Sequence, residues 1–169
     1  TLRTELADLA NVKIPGRDTE LLAHVALPSS YEGGPLPVLV LIHEFFGLSE
    51  SIVAKAQLFA DELGVLAIAP DTFRGERTSF IPRAIWLALT TPQDRVNRDL
   101  DDVIQWAGSP ECARVAGALA DTKRVAVLGF CYGGGKALRY TTQARPDAAT
   151  VVWYGSPLTD PEDQVFGMT

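Results

Sequence analysis

Cys131 stands in the run Gly129-Phe130-Cys131-Tyr132-Gly133-Gly134. A thiol becomes a nucleophile when it loses its proton. That loss is easiest at a helix N-terminus or beside positive charge. The glycines are what such a tip requires. A residue at the apex of a sharp strand-to-helix turn has a strained backbone, so its neighbours two positions away must be small. The pattern is a G-x-S-x-G nucleophile elbow with sulfur in place of oxygen. The plainer alternative is a glycine-rich turn around a small buried cysteine. The second cysteine, Cys112, falls in a linker after a helix and reads as incidental.

An elbow needs a strand before it and a helix after it. Arg124–Leu128 is a short apolar run of buried-strand type, and Lys136–Tyr140 can continue as helix. Upstream, Val12–Ile14 and Leu21–Leu27 read as two strands around Pro15-Gly16-Arg17-Asp18, with His24 as a strand histidine. Ser29–Pro37 is a loop. Val38–Ile42 is apolar throughout, as in a central parallel strand covered on both faces. Ser49–Leu63 has helical spacing: Ile52, Val53, Ala56, Phe59, Ala60 and Leu63 share one face, with Gly64 as the stop. Val65–Ala69 is the next strand, Thr72–Ile81 a loop, and Pro82–Leu89 a short helix. Thr91-Pro92-Gln93-Asp94 predicts another helix start with Thr91 as N-cap. Val96, Leu100, Val103, Ile104 and Ala107 form its apolar stripe, while Asp94, Asp101 and Asp102 read as a solvated face. Ala149–Tyr154 is a last strand, and Thr1–Leu9 a loose helix or arm. Strands alternating with helices imply an α/β domain with a mostly parallel sheet.

The 169 residues read as one domain, with 47% hydrophobic residues to build its core. A net charge of −6 argues against nucleic acid or an anionic membrane as partner. Two cysteines make no disulfide framework, and a nucleophilic Cys131 favours a reducing compartment. No apolar run reaches the roughly 20 residues of a membrane helix. The expected location is cytoplasmic, or an organelle if a transit peptide preceded Thr1. No ligand spacing suggests a metal, nothing implies an organic cofactor, and Gly135-Lys136-Ala137 does not make a phosphate-binding loop.

Taken in order, the motifs resemble the dienelactone hydrolase family, of the α/β-hydrolase fold. They are Val38–Ile42 with His43-Glu44-Phe45-Phe46-Gly47-Leu48, then Ala69-Pro70-Asp71 with Arg74, the Cys131 hexapeptide, and Trp153-Tyr154-Gly155. The likeness runs from about Val12 to Gly155. It implies that Cys131 attacks an ester or lactone carbonyl and forms an acyl-thioester, as in a carboxymethylenebutenolidase. By the same resemblance, the backbone N–H groups of Tyr132 and Phe45 form the oxyanion hole. Glu44 contacts the resting thiol, and Arg74, or alternatively Arg77, receives a substrate carboxylate. The implied partner is a small ester or lactone of anionic type.

The fold's chain order puts an acid and then a histidine after the nucleophile. Both histidines here, His24 and His43, precede Cys131. Asp160, Glu162 and Asp163 follow the last strand, whereas the family's acid comes after a further one. Fifteen residues follow Tyr154; one more strand–helix–strand step takes about 30. The expectation is an incomplete domain over residues 1–169 that lacks the last strands and helices and is inactive alone. Ala149–Tyr154 would then be an apolar edge needing cover. The alternative is a non-catalytic subunit or interaction module whose partner protein covers that edge.

Overall fold

The computed structural model describes residues 8–155. Of the loose helix or arm expected over Thr1–Leu9, the first seven residues lie outside that range, as do Asp160, Glu162 and Asp163. Among the described residues, six strands form one mixed sheet in the order β1-β2-β4-β3-β5-β6. The strands are β1 (Val12–Pro15), β2 (Glu20–Ala26), β3 (Leu36–Ile42), β4 (Leu66–Pro70), β5 (Ala120–Phe130) and β6 (Ala149–Trp153). The helices are α1 (Glu50–Leu63), α2 (Ile81–Thr90), α3 (Gln93–Ala107), α4 (Pro110–Ala116) and α5 (Tyr132–Gln143).

β3, β4, β5 and β6 run parallel, while β1 and β2 form an antiparallel hairpin that pairs with β4. The hairpin closes at Gly16, whose N–H bonds the Thr19 carbonyl at 3.1 Å. β3 is central, and its alternating side chains fall on opposite faces. Val38, Val40 and Ile42 join the core built by α2, α3, α4 and α5. Leu39 and Leu41 join the core under α1 with Leu128 and Phe130. Each such fully buried aliphatic side chain contributes about 1.5–3 kcal/mol. The expected apolar stripe of α3 is buried along its whole length.

Local signals set most boundaries. The Ser49 hydroxyl caps α1 by accepting from the Ile52 N–H, and Gly64 ends it in the left-handed region at φ 63°. Four local expectations are corrected. Thr91 does not start α3: its N–H and hydroxyl both bond the Leu87 carbonyl, so it closes α2, and Pro92 takes the cap position. Leu63 is 60% exposed, because α1 buries only Ile52, Ala56 and Ala60 fully. Cys112 sits inside α4, which Ser109 caps, and is fully buried. Asp102 is not a solvated residue. It accepts from the backbone and side chain of Arg17 at 2.8 and 2.7 Å, and Asp101 accepts from the Tyr140 hydroxyl. Those partners lie far away in sequence, so the helical pattern alone could not reveal them. Among the described residues, no helix is long and apolar enough to cross a membrane.

Candidate active site

The parallel register sets the site. Ile42 of β3 lies opposite Gly129 of β5, so both strands release their chains side by side at the same edge of the sheet. Carboxyl ends of parallel strands are where this fold class gathers reacting groups. From β3 come His43, Glu44 and Phe45; from β5 comes Cys131.

Cys131 has φ 56° and ψ −112°, a conformation that a non-glycine residue rarely adopts. The glycines make it possible. A Cβ at Gly129 would lie 2.0 Å from the Gly133 carbonyl oxygen, and one at Gly133 would lie 2.2 Å from that of Ile42. The start of α5 therefore rests directly on the ends of β5 and β3. Cys131 occupies the N-cap of this 12-residue helix, where the first N–H groups have no partner within the helix and carry the positive end of its dipole. The Tyr132 N–H belongs to that set. The thiol is half-buried, whereas Cys112 is enclosed in the core. Burial pushes the Cys112 thiol up to about 11, which suits an inert core cysteine.

His43 is fully buried and both ring nitrogens are engaged. The Thr72 N–H donates to Nε2 at 3.1 Å, so Nε2 carries a lone pair and the proton lies on Nδ1. Nδ1 then donates to the Glu44 carbonyl at 2.7 Å. His43 is thus a neutral strut between the ends of β3 and β4, with no free nitrogen to accept a proton. His24 lies on β2, with Nδ1 2.8 Å from the Leu9 carbonyl.

Glu44 is held at both ends. Its carbonyl accepts from His43 and from the Gly47 N–H, and its carboxylate accepts from the Tyr154 hydroxyl. Tyr154 also accepts the Cys131 N–H on its own carbonyl at 2.5 Å. The hydrogen bond to Glu44, followed by desolvation, pushes the Tyr154 hydroxyl up to about 12. Tyr154 therefore belongs to the same cluster. The available signal was its position: it follows the strand that pairs with the elbow strand, inside the Trp153-Tyr154-Gly155 motif.

Under the elbow, the Tyr132 ring lies 5.9 Å from His43 and 5.0 Å from Phe73. Burial raises its hydroxyl to about 12. Lys136 is 7% exposed, and its ammonium donates to the Thr91 carbonyl at 2.7 Å. Burial lowers it to about 8, with Arg139 and Arg95 acting in the same direction. Its apolar-looking context gave no sequence signal for a buried cation.

Asp71 shapes the loop after β4 by accepting from the N–H groups of Phe73 and Gly75. Arg74 follows with φ 54°, and its guanidinium is held by two carboxylates of the chain itself. Asp99 takes it bidentately at 2.6 and 3.0 Å, and Asp18 binds at 3.1 Å. Arg77 approaches the turn after Glu44: a Cβ at Gly47 would lie 3.9 Å from its Cγ. The structure thus brings together Cys131, Tyr132, Glu44 and Phe45, with Arg77 near the following turn. Arg74 is tied to α3 and the β1–β2 turn.

Comparison with known proteins gives a consistent pattern. Residues 21–166 match the family model described as "Dienelactone hydrolase family". A Yersinia pestis protein named "Putative carboxymethylenebutenolidase" is 33% identical over 160 residues, which is 92% of this chain and 56% of that protein. An Escherichia coli K12 protein of the same name is 35% identical over 147 residues, covering 84% and 51%. A Klebsiella pneumoniae crystal structure described as "Putative Dienelactone Hydrolase" superposes with TM-score 0.73 at 30% identity, over 88% of this chain and 60% of that one. The chain spans about half the length of the curated relatives it matches.

Proposed function

The chain belongs to the dienelactone hydrolase family, and from that premise we propose that the protein is a cysteine hydrolase of small esters or lactones. Cys131 is its nucleophile. The observation that carries this reading is the positive φ of Cys131 at the junction of β5 and α5, between two glycines that the backbone forbids to be larger. That arrangement projects a thiol at a helix N-terminus.

In this reading the thiolate attacks the carbonyl carbon of the ester. The carbonyl oxygen gathers negative charge and is met by the N–H groups of Tyr132 and Phe45. Collapse breaks the bond to the alcohol oxygen, which leaves with a proton, and a thioester remains on Cys131. Water then attacks the thioester, releasing the acid and restoring the thiol. His43 is not the base, since its two nitrogens are committed to Thr72 and Glu44. The base and its acid are not assigned among the described residues. Residues 1–169 are accordingly read as part of one hydrolase domain.

Arg77 is read as the residue that meets a substrate carboxylate because it approaches the turn after Glu44, next to the site. Arg74 already has two carboxylate partners, and its planar fork is spent on Asp99. The substrate class is therefore a small ester or lactone with an anionic acid portion. The test is hydrolysis by the intact protein of paired anionic and neutral esters, with Cys131→Ala and Arg77→Gln variants. Loss of turnover in the first and loss of the anionic preference in the second are expected. Full turnover by Cys131→Ala sinks the reading.

One observation favours a second reading, a scaffold without catalysis. β6 is an edge strand among the described residues, and Val151 and Trp153 are 48% and 57% exposed. Edges of that kind pair with something. A protein that copurifies stoichiometrically and hydrolyses nothing would support this second reading over the first.

A further inference from the structure

His43 is fully buried and has no nitrogen free for proton transfer, yet it touches both residues whose N–H groups are read as the oxyanion hole. Its Nδ1 donates to the Glu44 carbonyl at 2.7 Å. Its ring lies at 20° to that of Tyr132, with the centroids 5.9 Å apart, and Phe73 meets it edge-on at 4.8 Å. The N–H and the hydroxyl of Thr72 meet Nε2 at 3.1 and 3.0 Å. The ring cannot turn without losing bonds at both nitrogens, and a buried bond left unmade is costly.

The Glu44 carbonyl is one end of a peptide unit whose other end is the Phe45 N–H. That unit is planar and trans, so the two groups point in opposite directions. Fixing the carbonyl therefore aims the N–H. Both lone pairs of the carbonyl oxygen are used, since the Gly47 N–H donates to it as well, at 3.1 Å. Accepting these bonds polarises the peptide and makes its own N–H the stronger donor.

We propose, resting on the reading of Cys131 as nucleophile and Phe45 as an oxyanion donor, that His43 is a positioning residue that aims the Phe45 N–H through the Glu44 carbonyl. The Gly47 bond alone would leave the peptide unit hinged on one contact. Nδ1 supplies the second contact, and Thr72 decides which nitrogen carries the proton. The donor is thereby tied to the loop after β4, in the buried part of the site, and not left to the turn that carries it.

Two variants separate aiming from mere packing. His43→Leu removes both bonds and keeps an apolar side chain. His43→Asn carries an amide N–H in the place of Nδ1, so it keeps a donor for Glu44 while losing Thr72. Hydrolysis of a small ester by the intact protein gives kcat and KM for each. His43→Leu is expected to lower kcat about 30-fold, less than the roughly 100- to 1000-fold cost of deleting a donor outright, because the Phe45 N–H is still present. KM should stay within about twofold of the parent's, since the charged oxygen exists only in the transition state. His43→Asn should turn over about tenfold faster than His43→Leu, having recovered the aimed donor. Parental kcat in His43→Leu overturns the proposal. So do equal kcat values in the two variants, or a loss carried by KM, either of which marks a purely structural role. Should His43→Leu not fold, nitrogen NMR of the labelled parent at pH 8 decides: a proton on Nδ1 is expected, and a proton on Nε2 overturns the proposal. Turnover by Cys131→Ala, or none by the parent, would defeat the hydrolase reading itself, and shows before any His43 variant is compared.

Discussion

Gly133→Ala probes the geometry on which the site depends. The added methyl would sit 2.2 Å from the Ile42 carbonyl oxygen and 2.7 Å from that of His43. Real contacts of this kind do not fall below 3.0 Å, so α5 and the end of β3 must part by nearly 1 Å. Neither obstacle is a flexible side chain that can swing aside. Ile42 is the last residue of the central strand and is fully buried. Overpacking a tight core costs about 1–3 kcal/mol, and a backbone obstacle places this case near 3 kcal/mol. For a domain of this size each kcal/mol lowers the melting temperature by about 2–4 °C, giving a drop of about 6–12 °C. Thermal unfolding followed by circular dichroism measures it. Gly64→Ala is the control: it has φ 63° but nothing within 4 Å, so only the cost of about 1–2 kcal/mol for the left-handed backbone applies. Gly133→Ala melting within 2 °C of the parent, or above Gly64→Ala, would refute the close approach of α5 to β3.

Asp99→Asn should destabilise the protein by about 2 kcal/mol in urea with an unchanged slope. Breaking a buried pair costs about 3–5 kcal/mol, but Arg74 is one-fifth exposed and keeps Asp18. A loss under about 0.5 kcal/mol would mean that the pair holds nothing. Lys136 titrates near 8 when folded and at its ordinary 10.5 when unfolded, so between those values the unfolded chain binds the extra proton and stability rises with pH. Lys136→Met should therefore be the more stable protein at pH 7, by about 2 kcal/mol once the lost bond to Thr91 is counted. Its advantage should shrink from pH 8 to 10.5, and a constant difference across that window would refute the depressed titration of Lys136.

The legible parts of this chain were those encoded locally. β3 announced itself by five apolar residues, α1 by its serine cap and glycine stop, and the elbow by glycines whose spacing has a steric reason. The mostly parallel character of the sheet followed from the alternation of elements. What stayed hidden depended on partners distant in sequence. Asp102 is buried because a turn 85 residues earlier brings Arg17 to it. Arg74 is spent on Asp99 of a following helix, and Lys136 is buried against the carbonyl of Thr91. Thr91 looked like the start of one helix because its hydroxyl suits that place; its bonds to Leu87 make it the end of another. Tyr154 carried a motif signal, but its bond to Glu44 crosses 110 residues and exists only once β6 lies beside β5.

The most direct measurement is the mass of the protein quenched during turnover of a slowly hydrolysed ester. An acyl group on the peptide containing Cys131, absent from the Cys112 peptide and lost in Cys131→Ala together with turnover, is the expected result. Turnover with no adduct at Cys131, or turnover that survives Cys131→Ala, would contradict the assignment of the elbow thiol as nucleophile.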